Sequence, residues 1–233
     1  MADRLTRAEV VQGLLDLFPH PAYLEIGVNR GLTFSRLKAA RMTAVDPKFR
    51  FDKREWALKM QNATFCEVTS DAFFQTCPDT FDVIYLDGLH TLEQTLRDFA
   101  NAIEFLNKDG VILIDDVIPT SYHAAMPDLK ASVRLRKIRE DPSGAWMGDV
   151  YRLVFFIETF FQQYTYATLR ENHGQSIVWR KVRPKANIPS RSVAEIASLP
   201  YEQVYLNVAA YRIKEFRQII AEILAARSQI SPV

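Results

Sequence analysis

The chain has 233 residues, of which 48% are hydrophobic, and its 29 basic and 28 acidic side chains leave a formal net charge of +1. This length and composition predict one sizeable domain, alone or with an appendage. The balanced charge gives no argument for nucleic acid or an anionic membrane as an obligatory partner. No apolar run approaches the ~18 residues of a bilayer span. The N-terminal residues lack the apolar stretch of a signal peptide, so a cytoplasmic protein with reduced thiols at Cys66 and Cys77 is expected.

Strand and helix patterns alternate along the chain as far as residue 115. Apolar runs predict strands at 22–27, 43–46, 64–68, 81–87 and 111–115. Amphipathic or capped stretches predict helices at 6–18, 33–40, 52–60 and 91–106, and a short helix that Ser70 or Asp71 caps. This alternation predicts an α/β fold with a doubly wound parallel sheet.

The pattern changes after the fifth predicted strand. A loop rich in Pro, Ser and His at 119–127 precedes a basic helical piece at 134–140 and a helix at 149–161. Two further strands, at 165–170 and 176–181, are joined by a turn at 172–174 and predict an antiparallel end to the sheet. Residues 184–189 indicate a linker, and 202–227 a helical tail. We therefore expect a domain over 1–183, with its ligand-binding core at about 20–120, and a linker with a C-terminal helical extension over 184–233.

Carboxylates follow two of the predicted strands. Asp87 ends the fourth strand, with His90 three residues further on, and Asp115 and Asp116 end the fifth. In open α/β sheets, ligands bind just outside the carboxyl ends of the strands, so these side chains are expected to converge. Three carboxylates suit a hard cation such as Mg²⁺, and a neutral imidazole can accept a proton.

Glycines follow the first predicted strand. Gly27 and Gly31 allow a tight turn and a close approach to a ligand. The dinucleotide fingerprint G-x-G-x-x-G is missing, because Asn29 holds its second glycine position. Glu25, inside a buried strand, needs a cationic or N–H partner. Asp46 ends the second strand, where an acid commonly holds ribose hydroxyls.

The pattern Glu25-x-Gly27-x-x-x-Gly31, with Asp46, the stretch 69–71 and Asp87, resembles the S-adenosyl-L-methionine (SAM) site of class I methyltransferases over about residues 20–185. The resemblance implies a mostly parallel seven-stranded Rossmann-like sheet with an antiparallel last strand and helical additions at both ends. It also implies SAM as the methyl donor. The cofactor-binding residues that it implies are Glu25, Gly27, Asn29, Gly31, Asp46, Ser70, Asp71 and Asp87.

The stretch 85–93 with Asp115 and Asp116 narrows the resemblance to the group that includes bacterial macrolide sugar O-methyltransferases, which are similar to catechol O-methyltransferase in using Mg²⁺. It implies Asp87, Asp115 and Asp116 as metal ligands, and His90 with Asp87 as catalytic residues. Coordination of an alcohol to a divalent cation lowers the cost of its ionisation. The prediction is a Mg²⁺-assisted, SAM-dependent O-methyltransferase acting on a hydroxyl of a small molecule or sugar. The segment 146–152 is similar to a Trp-x-Gly-Asp-Val-Trp-Lys segment in bacterial members of the group, with no implied role.

Other interpretations stay open. The chain could be a metal-independent N- or carboxyl-methyltransferase, a non-catalytic SAM-binding protein or a nicotinamide oxidoreductase, although the missing fingerprint argues against the last. Asp87 could simply bind the SAM amino group or cap the helix that begins at Thr91. The Asp115–Asp116 pair could be solvated, and His90 could be a packed or capping histidine.

Several side chains outside the main motifs also receive expectations. The basic residues at 134–139 are either a solvated helix face or a contact for an anionic acceptor. His123 is expected at the surface, His173 in a turn, His20 in a loop, and the aromatic residues of 151–161 in the core. The apolar stripe of the tail needs this domain or a second subunit as partner, so a homodimer is plausible.

Overall fold

The protein is described by a computed structural model that covers residues 4–142, 144–184 and 190–230. Seven strands form one sheet in the order β3-β2-β1-β4-β5-β7-β6. The strands are β1 (Ala22–Ile26), β2 (Arg41–Val45), β3 (Ala63–Cys66), β4 (Phe81–Leu86), β5 (Leu106–Ile114), β6 (Tyr164–Thr168) and β7 (Ser176–Arg180). The predicted linker lies outside the described residues except for Pro184.

The first five strands are parallel, and β7 runs antiparallel to both β5 and β6. All five residues of β1 are buried, as its apolar sequence predicts for a strand covered on both faces. The predicted mostly parallel, seven-stranded sheet is therefore confirmed.

Helices cover both faces of the sheet. They are α1 (Arg7–Leu15), α2 (Lys53–Lys59), α3 (Ser70–Thr76), α4 (Leu92–Glu104), α5 (Leu129–Ile138), α6 (Tyr151–Phe160), α7 (Val193–Ala197), α8 (Gln203–Leu206) and α9 (Phe216–Ile230). On one face, Phe99 of α4 and Phe155 of α6 belong to one hydrophobic cluster. On the other, Leu14 of α1 and Ile219 of α9 share a second cluster with side chains of the sheet. Among the described residues, no helix is long and apolar enough to cross a membrane.

The helix predicted at 33–40 is wrong. A single 3-10 turn, Phe34–Arg36, stands there, and Leu37 is already extended. The cause is a tertiary contact: the backbone N–H of Lys38 donates to the Gln12 side chain (2.8 Å), and the Lys38 carbonyl accepts from it (3.2 Å). Those backbone groups are thus bound to α1 instead of to a helix of their own.

Three smaller predictions also need correction. Thr69, rather than Ser70 or Asp71, caps α3, because its side chain accepts from the N–H of Ala72. The helix expected at 202–227 is interrupted: a 3-10 turn over Val208–Tyr211 ends at Arg212, whose φ of 51° is left-handed. The strand β5 begins at Leu106, which the sequence assigns to the preceding helix. The domain division expected near residue 183 stays a prediction.

Candidate active site

A cavity of about 840 Å³ lies at the carboxyl ends of the strands. Its size is in the range of roughly 300–1,000 Å³ that small-molecule sites occupy. Its wall includes most of the predicted site residues: Glu25, Gly27, Asn29, Asp46, Ser70, Asp71, Asp87 and His90. Gly31, Asp115 and Asp116 are not part of that wall. The strand order therefore brings the predicted cofactor-binding residues, except Gly31, together around one cavity.

The turn after β1 depends on Gly27. Its φ is +91°, and a Cβ built there would lie 2.0 Å from the carbonyl oxygen of Asp87. The close contact joins the ends of β1 and β4. Only glycine allows both that approach and that backbone conformation without strain.

Asp46 is held at the end of β2 by backbone donors. The N–H of Asn29 donates to Oδ2 and that of Lys48 to Oδ1, each at 2.8 Å. Asn29 itself has a left-handed φ of 51°. Each carboxylate oxygen keeps a second lone pair for a ligand hydroxyl.

Glu25 is a buried acid beside the cavity, only 2% exposed. It accepts a hydrogen bond of 2.6 Å from the Tyr23 hydroxyl. Burial, and then the charge of Asp87, outweigh that bond and raise the pKa of Glu25 to about 8. A cationic ligand group nearby would favour the ionised form of this carboxyl.

The side-chain amide of Gln94 links α4 to the first turn of α3, which follows β3. Gln94 Nε2 donates to Asp71 Oδ1 at 3.3 Å and to Asp98 Oδ1 at 3.0 Å. Asp98 is buried and lines the cavity, and burial raises its pKa. Gln94 and Asp98 were not among the predicted site residues, although an acid between the apolar positions of an amphipathic helix is a visible signal.

The predicted acid cluster contains a bridging imidazole. His90 Nε2 lies 3.4 Å from Asp87 Oδ1, and His90 Nδ1 lies 3.0 Å from Asp116 Oδ2. Potential ligand atoms of the three side chains all lie within 4.8 Å of one another, so the set could hold a cation. Asp116 has a left-handed φ of 60°, a strained conformation that occurs preferentially at functional sites.

Asp115, by contrast, has strong donors from the protein. Arg7 Nε donates to its Oδ2 at 2.5 Å, the Tyr85 hydroxyl donates to the same oxygen at 2.9 Å, and His173 Nε2 lies 2.8 Å from Oδ1. Burial alone would raise the pKa of Asp115, but His173 and Arg7 hold it well below its usual range. Arg7 and His173 were not among the predicted site residues.

The pKa values of His90 and Asp87 are both raised, by different interactions. Burial would lower the pKa of His90, but its hydrogen bonds and charge interactions with Asp116 and Asp87 outweigh burial and raise that pKa to about 11. Burial and the charge of Asp115 raise the pKa of Asp87 to about 7. Without a bound cation, these interactions favour the protonated form of His90 and the neutral form of Asp87.

One histidine prediction is wrong, and another omits a contact. His123, expected at the surface, is only 5% exposed and lies 3.1 Å from the Ser121 hydroxyl, so that prediction is wrong. His173 does lie in the connection between β6 and β7, yet its ring reaches Asp115. The aromatic prediction for α6 holds for Tyr151, Phe155 and Phe156, whereas Phe160 is 46% exposed.

Comparisons with known proteins bear on the family and the fold. Residues 24–117 match a family model described as a methyltransferase domain. No curated protein matches the chain in sequence.

Solved structures share the fold at low identity. A Staphylococcus aureus protein described as a candidate caffeoyl-CoA O-methyltransferase is 16% identical, with a TM-score of 0.54 over 78% of this chain and 85% of that one. The O-methyltransferase TomG of Streptomyces achromogenes, involved in tomaymycin synthesis and solved with SAM, is 12% identical, with a TM-score of 0.51 over 75% of this chain and 79% of that one.

Proposed function

We propose that this chain is a class I SAM-dependent methyltransferase that transfers a methyl group to a hydroxyl of a small molecule or sugar, as the methyltransferase-domain match over residues 24–117 supports. The observation that carries the proposal is the Asp87–His90–Asp116 cluster, whose first two members line the cavity beside the glycine turn of β1. An acceptor hydroxyl needs a proton acceptor close to the donor site, and this cluster supplies one.

SAM would supply a methyl group that is already activated on a sulfonium. Glu25 would receive its amino group, since a buried carboxyl gains most from a cationic partner. Asp46, oriented by the two backbone donors, would accept from the ribose hydroxyls. Asp71, in the first turn of α3 after β3, would lie beside the adenine.

The protein's part in the transfer is to orient the acceptor and take its proton. The acceptor oxygen forms a bond to the methyl carbon, and the carbon–sulfur bond breaks with its electron pair staying on sulfur. The acceptor proton goes to the Asp87–His90 pair, which is linked by the 3.4 Å contact. Burial and the charge of Asp115 raise the pKa of Asp87, which makes this carboxylate a better proton acceptor than an exposed one, while His90 must first lose a proton.

A Mg²⁺ ion would fit at Asp87 and Asp116, because their carboxylate oxygens lie within 4.8 Å of each other and of His90. Oxygen ligands suit this ion. Bound there, it would lower the cost of ionising the acceptor hydroxyl. Asp115 is the less suitable ligand of the three, since Arg7, Tyr85 and His173 already donate to it.

Those same donors favour a second candidate, a methyltransferase that needs no metal. Arg7 and His173 already compensate the charge of Asp115. Because protein side chains already balance this charge, no metal ion is needed for it, as in a metal-independent enzyme that acts on an amine or a carboxylate.

A two-stage experiment tests the proposal. Calorimetry with SAM and S-adenosylhomocysteine should first show binding, and its absence would end the methyltransferase assignment for this site. Purified protein with methyl-labelled SAM is then offered phenols, sugars, amines and carboxylic acids. Label on oxygen of a phenol or sugar, lost in His90→Gln and Asp87→Asn, supports O-transfer. Label on nitrogen or carboxylate instead supports the second candidate.

Metal dependence is a separate measurement. The assay is repeated after EDTA treatment and again with added Mg²⁺. Recovery with Mg²⁺ that is lost in Asp116→Asn supports the metal site, whereas undiminished activity in EDTA rejects it.

A cytoplasmic location and a homodimer stay predictions. Exposed apolar side chains near α8, namely Tyr205, Leu206 and Val208, support a second subunit as their partner. Light scattering on the purified protein would measure the mass in solution.

A further inference from the structure

We propose that residues 146–149, the connection before α6, form a brace that positions the His90 ring against the cavity. The proposal rests on the proposed function, because it concerns the group that handles the acceptor proton. In this role Trp146 and Asp149 are positioning residues.

The first contact is between two rings. The indole of Trp146 stacks on the imidazole of His90, with ring centroids 5.2 Å apart and planes tilted by 15°. Both side chains line the cavity. The Trp146 ring is held in turn by its own Nε1, which donates to the Met126 carbonyl at 2.7 Å. Stacking on an anchored indole fixes the plane of the imidazole.

The second contact fixes the rotation of the ring within that plane. His90 Nδ1 lies 2.7 Å from the carbonyl oxygen of Trp146, and a carbonyl can only accept. Nδ1 therefore carries a hydrogen and donates it. This directs Nε2 toward Asp87, the other member of the proton-accepting pair.

The brace itself is built against the segment that carries His90. Gly148 has a φ of +60°, and a Cβ there would lie 1.5 Å from the His90 carbonyl oxygen. Asp149 is buried, and its Oδ1 accepts from the N–H of Leu92 at 2.7 Å, at the start of α4. Its Oδ2 pairs with Arg152 at 2.7 Å. Backbone contact at Gly148 and the bond from Asp149 thus hold the Trp146 carbonyl and ring at a fixed place beside His90.

The test compares Asp149→Ala with Asp149→Asn. Asparagine keeps an oxygen that can accept from Leu92 N–H, whereas alanine does not. Protein labelled with ¹⁵N-histidine is examined by NMR, with the His90 ring signals assigned from their loss in His90→Gln. In the wild type, the Nδ1–H should be hydrogen-bonded and the ring protons shifted upfield by the indole. Asp149→Ala should lose the upfield shift and should change the Nδ1–H signal, because Asp116 Oδ2, 3.0 Å from Nδ1, is then its only acceptor of the two. Asp149→Asn should restore both wild-type signals.

A control separates positioning from general loss of stability. Ser192→Ala removes the side-chain cap of α7, which accepts from Glu195 N–H at 3.2 Å. It should lower the Tm and leave the His90 signals where they are. If it moves those signals as far as Asp149→Ala does, the positioning role is overturned. Gly148→Ala should disturb the structure more, because its Cβ would clash with the His90 carbonyl. If that variant does not fold, the comparison of Asp149→Ala with Asp149→Asn tests the positioning role.

Catalysis gives a second readout on whichever acceptor the labelling screen identifies. A displacement of about 1 Å at a reacting group can cost about 100-fold in rate. Asp149→Ala should therefore lower kcat by about 10- to 100-fold while the KM for SAM stays within about twofold. Unchanged kcat and unchanged His90 signals together would overturn the proposal. The NMR arm needs no acceptor, so failure of the methyl-transfer assay would reject the proposed function without deciding the brace.

Discussion

The Nε atom of Arg7 lies 2.5 Å from Oδ2 of Asp115, although 108 residues separate the two in sequence. The contact places the positively charged guanidinium of Arg7, on α1, at the end of β5 beside the cavity. It makes the first helix part of the site's electrostatics, and Arg7 also lines the cavity wall.

Replacing Arg7 by methionine should destabilise the protein. The variant leaves Asp115 buried without one of its charged partners, which raises the pKa of that carboxyl toward its ordinary range. The cost should be about 1–2 kcal/mol, below that of a fully buried pair, because the Arg7 side chain is 40% exposed. Thermal unfolding at neutral pH should show a Tm lower by several degrees.

The matched control is Arg4→Met, which removes the same charge from an exposed position three residues earlier. Its Tm should stay close to that of the wild type. Equal Tm values for the two variants would show that the Arg7–Asp115 contact does not stabilise the fold.

Gly27→Ala should strongly weaken ligand binding. The new Cβ would lie 2.0 Å from the Asp87 carbonyl oxygen, in a backbone conformation that alanine adopts only with strain. The ends of β1 and β4 must then separate, and we expect at least a tenfold weaker affinity for S-adenosylhomocysteine with a lower Tm. At Gly144, in contrast, the nearest atom would be 4.0 Å from an added Cβ, so Gly144→Ala should bind normally in the same calorimetric titration.

Asp46→Asn should weaken binding of S-adenosylhomocysteine with a smaller effect on the fold. A hydrogen bond to a charged group contributes about 1.5–3 kcal/mol, which corresponds to roughly 10- to 100-fold in affinity. The amide also loses one acceptor toward the backbone donors of Asn29 and Lys48. Asp79→Asn, at a side chain that is 51% exposed, is the control. Unchanged affinity in Asp46→Asn would mean that Asp46 does not bind the ribose, contrary to the proposal.

The buried carboxyl of Glu25 should make stability fall as the pH rises. Its pKa is raised from 4.5 to about 8, so between these values the folded protein binds a proton that the unfolded chain has released. The stabilising contribution is present below pH 4.5 and is lost by about pH 8, with a slope of up to about 1.4 kcal/mol per pH unit.

Denaturant unfolding of ligand-free protein across that window measures the slope. Glu25→Gln, which cannot ionise, should give a flatter curve than the wild type. Parallel curves would mean that the Glu25 carboxyl ionises alike in both states.

The strands could be predicted from the sequence, because buried parallel strands are continuous apolar runs and Asp46 and Asp87 follow them directly. The helix expected at 33–40 could not be excluded in that way. Its local pattern is compatible with a helix, and only the distant Gln12 side chain binds the backbone of Lys38.

The residues that bind Asp115 could not be predicted from the sequence either, because they are also distant along the chain. The convergence of Asp87, His90 and Asp116 follows from strand order, which the fold class supplies. Arg7 and His173 reach Asp115 from α1 and from the β6–β7 connection, across 108 and 58 residues. No spacing rule links such positions, because the contact exists only after the sheet has formed.

The last helix also has a consequence for synthesis on the ribosome. Phe216 of α9 packs against Gly13 of α1, where an added Cβ would lie 2.7 Å from the phenyl ring. Arg227 donates to the Leu17 carbonyl just beyond α1. The helix α1, which carries Arg7, can therefore pack fully against α9 only after residue 227 has left the ribosomal exit tunnel. A nascent chain can assemble its sheet early, but the Arg7 cation beside Asp115 is secured only after α9 has emerged, so ligand binding should be acquired after residue 227 has been released.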